Sequence, residues 1–398
     1  MKLRAVLLMG LIWALLVTGF QVLASLRFGA QPPDRALEWT PSETTPGSHV
    51  NRPYVLDPFM NHAVAWDSEF YLSIAIAGYD DPHMAKIDDH GRPLSKSYAF
   101  LPFYPVMIKF VALPFRLFLE PIAAASVAGV IVSMAGAVAA AAALFLLAGG
   151  RDEDNRAGKT AFYFLIFPAC FFLAQVYTEG LFLGLVFGSL ALIKYNKIGW
   201  AAFLAVLAVW TKVVGVCLVV PLAWSWFAMK DKKPDIRSVL YALYALAPVI
   251  AFLLWYLSPL GRNFNAVEAL FFNRKPLNLV SSVENWSRAL TLMFTGSPQT
   301  TAYYLVEFGA IVYGIAACVL WLKRGPAIAV FGLLVIFISL SSGVSQGMHR
   351  YILAAPPVFM VLGARGAKSG LFDRGWTIAS LLLFGLLATT YTLNMWAG

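Results

Sequence analysis

A chain of 398 residues that is 60% hydrophobic and only 13% charged, with a mean hydropathy of +0.70, lies far outside the range of soluble globular domains. Its net charge of +9 does not mark a nucleic-acid binder, because the basic residues gather beside apolar runs: Lys2 and Arg4; Lys230, Lys232, Lys233 and Arg237; Lys323 and Arg324; Arg365, Lys368 and Arg374. The composition predicts a polytopic membrane protein with no large soluble catalytic domain, so that any chemistry sits in loops and helix ends.

The first predicted element is a transmembrane helix over residues 5–25. Its apolar stretch of about twenty positions exceeds the roughly 7 to 15 of a signal-peptide core, and cleavage after Ala24 is the alternative. Residues 26–98 form the longest polar stretch, with ten acidic residues against six basic ones. Basic loops stay cytoplasmic, so this acidic loop is expected on the outer face and the N-terminus inside. Further apolar spans follow at 99–119, 121–149, 160–177, 180–194, 198–228, 238–258, 302–322, 327–342, 351–364 and 376–396, eleven with the first. The span 198–228 carries Thr211-Lys212 near its middle and can be read as two half-helices, which makes twelve. Residues 259–300 then become a second outer loop and "SSGVSQGMHR" a third, over one membrane cavity within a single integral-membrane domain. Cys170, Cys217 and Cys318 lie in apolar runs and read as core packing.

Within the first loop, "VAWDSEFYLSIAIAGYD" (64–80) places Asp67 and Glu69 in an apolar setting. Trp66, Phe70, Ile74 and Ala77 recur at helical spacing, which predicts a short amphipathic helix along the interface, with Trp66, Tyr71 and Tyr79 at headgroup depth and a stop at Gly78. The bland account of the acids is that Asp67 caps this helix and Glu69 complements its dipole. About twenty residues on, "YAFLPFYPVMIKF" enters the next span behind Pro102 and Pro105.

An acidic "WD" before the helix, a "GY" closing it and a "PFYP" beyond it resemble the PIG-V family of mannosyltransferases, in the GT-C glycosyltransferase superfamily. The resemblance continues in order through "QVYTEGLFLGLVFGSLALI" (175–193), "LAVWTKVVGVCLVVPLAW" (207–224) and "GMHRYILAAPPVF" (347–359). This chain departs from the family pattern at Ala65, Phe70 and Lys212, where a basic residue, His and Arg are usual. The resemblance implies an all-α GT-C-type bundle of about 11–12 transmembrane helices that moves a hexose, mannose in the family, from a polyprenyl-phosphate donor to a hydroxyl of a glycolipid or cell-envelope acceptor. The setting is a prokaryotic cell membrane, or the ER membrane in a eukaryote, with the site on the outer or lumenal face. Asp67 is the expected catalytic base, since an acceptor hydroxyl must lose its proton as the C1–O bond breaks. Glu69 is the supporting acid. Arg350, then Lys212 and His349, are the expected donor-phosphate ligands, because the leaving group gains negative charge. Trp66, Tyr71, Tyr79, Tyr104 and Glu179 are the expected acceptor or sugar pocket. Glu69 lies on a different helix face from Asp67, which favours inversion by single displacement.

No pair among His62, His83, His90 and His349 has metal-motif spacing, and "DDPH" (80–83) and "IDDHG" (87–91) lack the alternating acids of a calcium loop. No metal is expected to be required, although Mn2+ or Mg2+ serves some superfamily members. Arg262, Arg274, Lys275 and Arg288 of the second loop can touch an anionic lipid headgroup or form a solvated face. A solute or lipid transporter is the alternative from another class, without the paired broken helices such a protein should show. An inactive family member is the other.

Overall fold

The computed structural model describes residues 2–29, 33–56, 60–87, 91, 93–150, 155–228 and 236–398. Lys230, Lys232 and Lys233, and His90 with most of "IDDHG", fall outside them. The helices in chain order are α1 (Leu3–Arg27), α2 (Thr40–Thr44), α3 (Pro53–Leu56), α4 (Ser68–Ile76), α5 (Phe103–Ala112), α6 (Pro121–Leu147), α7 (Arg156–Leu165), α8 (Glu179–Lys194) and α9 (Ile198–Val209). They continue with α10 (Val219–Phe227), α11 (Ile236–Tyr256), α12 (Phe264–Phe272), α13 (Leu279–Thr295), α14 (Pro298–Trp321), α15 (Pro326–Leu340), α16 (Met348–Tyr351), α17 (Pro356–Lys368) and α18 (Gly370–Thr392). Among the described residues the one departure from an all-α fold is an antiparallel pair of three-residue strands, β1 (Ala85–Ile87) and β2 (Pro93–Ser95).

Each predicted apolar run is helical, and the chain is a multi-pass membrane protein. Five helices are long and apolar enough to cross a bilayer singly: α1, α6, residues 238–256 of α11, α14 and α18. The other runs are shorter or broken. The run 160–177 bends by 71° between α7 and the 3-10 turn Pro168–Ala174, where proline ends the helix. The run 198–228 breaks at Trp210–Lys212 into the two half-helices expected, with Trp210 donating its indole N–H to the Ala251 carbonyl at 3.0 Å. Irregular backbone at such depth is tolerated only where protein buries it and supplies partners.

Two close approaches fix α8 against α6. A Cβ on Gly136 of α6 would lie 2.4 Å from the Gly180 backbone of α8, and one on Gly180 would lie 2.0 Å from the Ser133 carbonyl oxygen. Small residues thus let α6 and α8 touch backbone to backbone, as in other membrane helix pairs, and seat Glu179 at the start of α8. Above them, α4 is not the amphipathic interfacial helix expected from its spacing. Residues 68–75 are all buried, because its polar positions find protein partners: Ser68 at Tyr391, Glu69 at Arg52 and Ser73 at Asp81. Trp66 and Tyr71 are accordingly buried in protein. Gly78 ends the segment as expected, at φ +91° with its N–H on the Ser73 and Ile74 carbonyls. The second long loop is itself helical. Toward the bundle α13 turns Ser282 and Ala289, while Val280, Val283, Leu290 and Phe294 form an outward apolar stripe.

Candidate active site

Asp67 follows a strained residue. Trp66 adopts φ +54°, a left-handed conformation that costs a bulky side chain on the order of 1–2 kcal/mol. Its surroundings enforce it: the Ala65 N–H donates to the Ser68 hydroxyl and the Tyr391 phenol, both at 3.2 Å, and the Asp67 N–H donates to the Tyr177 phenol at 3.1 Å. The Trp66 ring meets Trp39 and Trp396 edge to face, with centroids 5.7 and 5.2 Å away. The Asp67 carboxylate accepts no N–H of α4, so it is not spent on capping. With a side chain 31% exposed, it turns into a cavity of about 870 Å³ between the two long loops, the start of α14 and the segment before α16.

Behind Asp67 lies a cluster of buried charges. Arg350 Nη1 stands 3.6 Å from Asp67 Oδ2, and its Nε stands 3.4 Å from Glu179 Oε1. Its guanidinium packs against the rings of Phe172, Tyr177 and Tyr351, at 5.2, 5.4 and 5.2 Å. Glu179 also takes Lys212 Nζ at 2.5 Å. Two acids and two cations thus balance, with Glu179 and Arg350 in the dry interior, where either alone would be costly, and Asp67 and Lys212 partly exposed at its edges. Glu69 is engaged elsewhere, in a two-pronged ion pair with Arg52 at 2.6 and 2.9 Å.

Arg350 is placed by a residue read from sequence as ordinary span. Glu307 of α14 is fully buried and accepts the N–H groups of Gly347, Met348 and His349 at 2.7, 2.6 and 3.3 Å, together with the His349 ring Nδ1 at 2.8 Å. One carboxylate thereby fixes the first turn of α16, and with it Arg350 and Tyr351.

Of the residues singled out from sequence, Trp66, Asp67, Glu69 and Arg350 line the cavity, and so do Arg274 and Arg288 of the second loop, whereas Arg262 and Lys275 do not. Lys212 and Glu179 stand one layer behind it, held to each other. His349 does not face it: both ring nitrogens are occupied, by Glu307 and by the Ala397 carbonyl at 2.7 Å. Tyr71, Tyr79 and Tyr104 are likewise off the wall. Tyr71 reaches Thr178 at 3.4 Å, Tyr79 donates to the Phe100 carbonyl at 2.8 Å, and Tyr104 is a core strut on Gly129 and Ser133. Asp81 of "DDPH" holds a turn, accepting from Tyr54, Ser73 and the His83 N–H. Among the described residues no group of three His, Cys, Asp or Glu is placed to hold a metal. Sequence reasoning missed Arg52, Glu307, Glu268 and the tryptophans 39 and 396. A lone acid inside an apolar span was the available signal for Glu307.

Glu268 of α12 also lines the cavity, and burial pushes its carboxyl up to about 7, against the pull of Arg274 and with a further push from Asp67. The folded protein then holds a proton that the unfolded chain releases above the ordinary value of 4.5, so stability from this group is present below 4.5 and lost as pH rises through about 7. Glu268→Gln is expected to flatten that part of the pH profile of thermal unfolding in detergent. An unaltered profile would show that Glu268 ionises normally.

A helix bundle whose end is covered by two long loops, with a charged cavity between them, defines a membrane protein built around a site at one end of its spans. Residues 6–229, more than half of the chain, match the family model described as Mannosyltransferase (PIG-V), and the chain belongs to that family of glycosyltransferases. Arg274, Glu307 and Arg350 lie beyond the matched residues. Among solved structures the chain is similar to the crystal structure of the Archaeoglobus fulgidus oligosaccharyltransferase in complex with Zn and sulfate, at 14% identity and a TM-score of 0.40. That alignment covers 94% of this chain and 53% of the other, so the chain spans about half that protein's length. No curated protein matches the chain.

Proposed function

We propose that this protein transfers a hexose, mannose by its family, from a polyprenyl-phosphate donor to a hydroxyl of a glycolipid or cell-envelope acceptor, in one inverting displacement with Asp67 as base. The observation that carries the reading is the Asp67 carboxylate itself: it is released from helix capping, held on a strained turn and open to the cavity. The acceptor oxygen bonds to C1 of the sugar as the C1–O bond to the carrier phosphate breaks. The hydroxyl proton passes to Asp67, and the electron pair leaves with the phosphate. Double displacement would need a free carboxylate as nucleophile, whereas Glu69 is held by Arg52 and Glu179 by Lys212 and Arg350. Arg350 orients the base, and no metal takes part.

The cavity belongs on the outer or lumenal face. Ser297, Thr300 and Tyr304 at the start of α14 line it, and this helix of 24 residues is about 36 Å long, so Lys323 and Arg324 just past its far end mark the cytoplasmic side. Gln21, near the end of α1, bonds the carbonyl of His62 in the loop layer, which sets Lys2 and Arg4 at that same far end.

The test is transfer by the purified chain from radiolabelled polyprenyl-phosphate mannose to a lipid extract of its host, with chelator in a parallel sample. Labelled product, unchanged by chelator, is the expected result. Absence of transfer with mannose, glucose and arabinose donors alike would sink the transferase reading, and loss on chelation restored by Mn2+ or Mg2+ would bring a metal into the reaction.

A further inference from the structure

The charges lining the cavity are unevenly paired. Arg52 is bonded to Glu69 and Glu43, Arg288 to Glu38, and Arg350 lies between Asp67 and Glu179. Lys96 is pushed down to about 8, first by burial and then by Lys86. Arg35 stands exposed, its backbone N–H on Gln299. Arg274 differs from Arg35 in being partly shielded and from Lys96 in carrying a planar guanidinium, although Arg35 and Lys96 likewise show no ion pair among the described residues. It is shielded from solvent in part and lines the cavity, yet among the described residues no carboxylate comes within ion-pair distance of it, and its guanidinium meets the Tyr351 ring at 5.9 Å.

The backbone aims it there on both sides. Asn273 closes α12 in a left-handed conformation at φ +53°, the Arg274 N–H donates to the Glu268 carbonyl at 2.9 Å, and the Lys275 N–H donates to the Ser342 carbonyl at 3.0 Å. Glu268 and Asp67 act on this guanidinium only from beyond ion-pair distance, so its hydrogen-bonding fork is left open to an anion, and that planar fork suits phosphate oxygens. Its neighbours suit an apolar tail: Phe271 and Phe272 line the cavity beside it. The wall next to them is α13, whose outer face carries Val283 and Phe294, 68% and 77% exposed. Arg262 of the same loop is exposed and does not line the cavity.

We infer that Arg274 is the anion subsite of the cavity, taking the phosphate group of a lipid carrier whose chain lies against Phe271 and Phe272. The identity of the lipid phosphate rests on the transferase reading above. Arg350 then serves Asp67, and the phosphate is held by a different arginine from the one that orients the base.

The experiment measures binding of radiolabelled farnesyl phosphate to the full chain in detergent, with competition by inorganic phosphate and by farnesol. Wild type is expected to bind farnesyl phosphate in preference to both competitors. Arg274→Gln is expected to weaken it by roughly tenfold to a hundredfold, the range of a charge-assisted contact. Arg274→Lys, which keeps the charge, should recover part of the loss and so separate a missing contact from a folding failure, and Arg262→Gln should bind as wild type does. Equal affinity in Arg274→Gln overturns the inference, and so does wild type that binds inorganic phosphate or farnesol as well as farnesyl phosphate. Arg274-dependent binding without any sugar transfer leaves the subsite standing and removes the transferase reading instead.

Discussion

Asp67→Asn is expected to reduce sugar transfer by about two to four orders of magnitude, the share a positioned general base supplies, while the protein folds as before. The substitution keeps the side-chain volume and leaves intact the bonds that hold the turn, because Tyr177 and Tyr391 engage the backbone of Asp67 and Ala65 and not the carboxylate. It breaks the 3.6 Å contact with Arg350, but Arg350 retains Glu179 and its three aromatic neighbours. The contact is long, Asp67 is 31% exposed and Arg350 keeps Glu179 as its counter-charge, so the unfolding midpoint should move little. Transfer at the wild-type rate in Asp67→Asn would remove the proposed base.

The largest effect on stability is expected at Glu307, a position with no direct part in the chemistry. Glu307→Ala strands the buried N–H groups of Met348 and His349 and the ring of His349, while the Gly347 N–H keeps the Tyr303 phenol at 3.1 Å, and breaking such a buried charged site costs about 3–5 kcal/mol. Thermal unfolding in detergent reads this directly, as a drop far larger than that of Asp67→Asn. Activity should fall with it, since the turn that Glu307 holds carries Arg350. Glu307→Gln, with an amide oxygen still able to accept from the backbone, should recover part of the stability. An unfolding midpoint at the wild-type value for Glu307→Ala would show that the Gly347–His349 turn is held by other contacts.

Elements whose signal lies within a short window were legible. Each apolar run became helix, and the polar break at Thr211-Lys212 became a break in the span. The end of α4 at Gly78 was legible for the same reason, since a glycine after an apolar stretch supplies the left-handed residue a helix end uses. Spacing misled where burial is complete: Trp66, Phe70, Ile74 and Ala77 describe an apolar side, yet nothing in the pattern tells that the polar side of α4 is covered as well. His349 misled similarly, because adjacency to Arg350 in sequence says little about direction on a turn this tight.

The sequence by itself determined that this is a membrane protein of many helices, that it belongs with the PIG-V mannosyltransferases, and that Asp67 is its distinctive acid, since hydropathy and ordered motifs are properties of consecutive residues. Only the tertiary structure decided what each charge does. Arg52 meets Glu69, Arg350 meets Asp67 and Glu179, Glu307 holds the turn of His349, and Arg274 has no carboxylate within ion-pair distance among the described residues. Apart from Arg52 and Glu69, which share the first loop, these partners lie on elements far apart in the chain, brought together by helix contacts such as Gly136 on Gly180. Where water is excluded, whether a charge is paired or left for a ligand depends on the few ångströms that such packing sets.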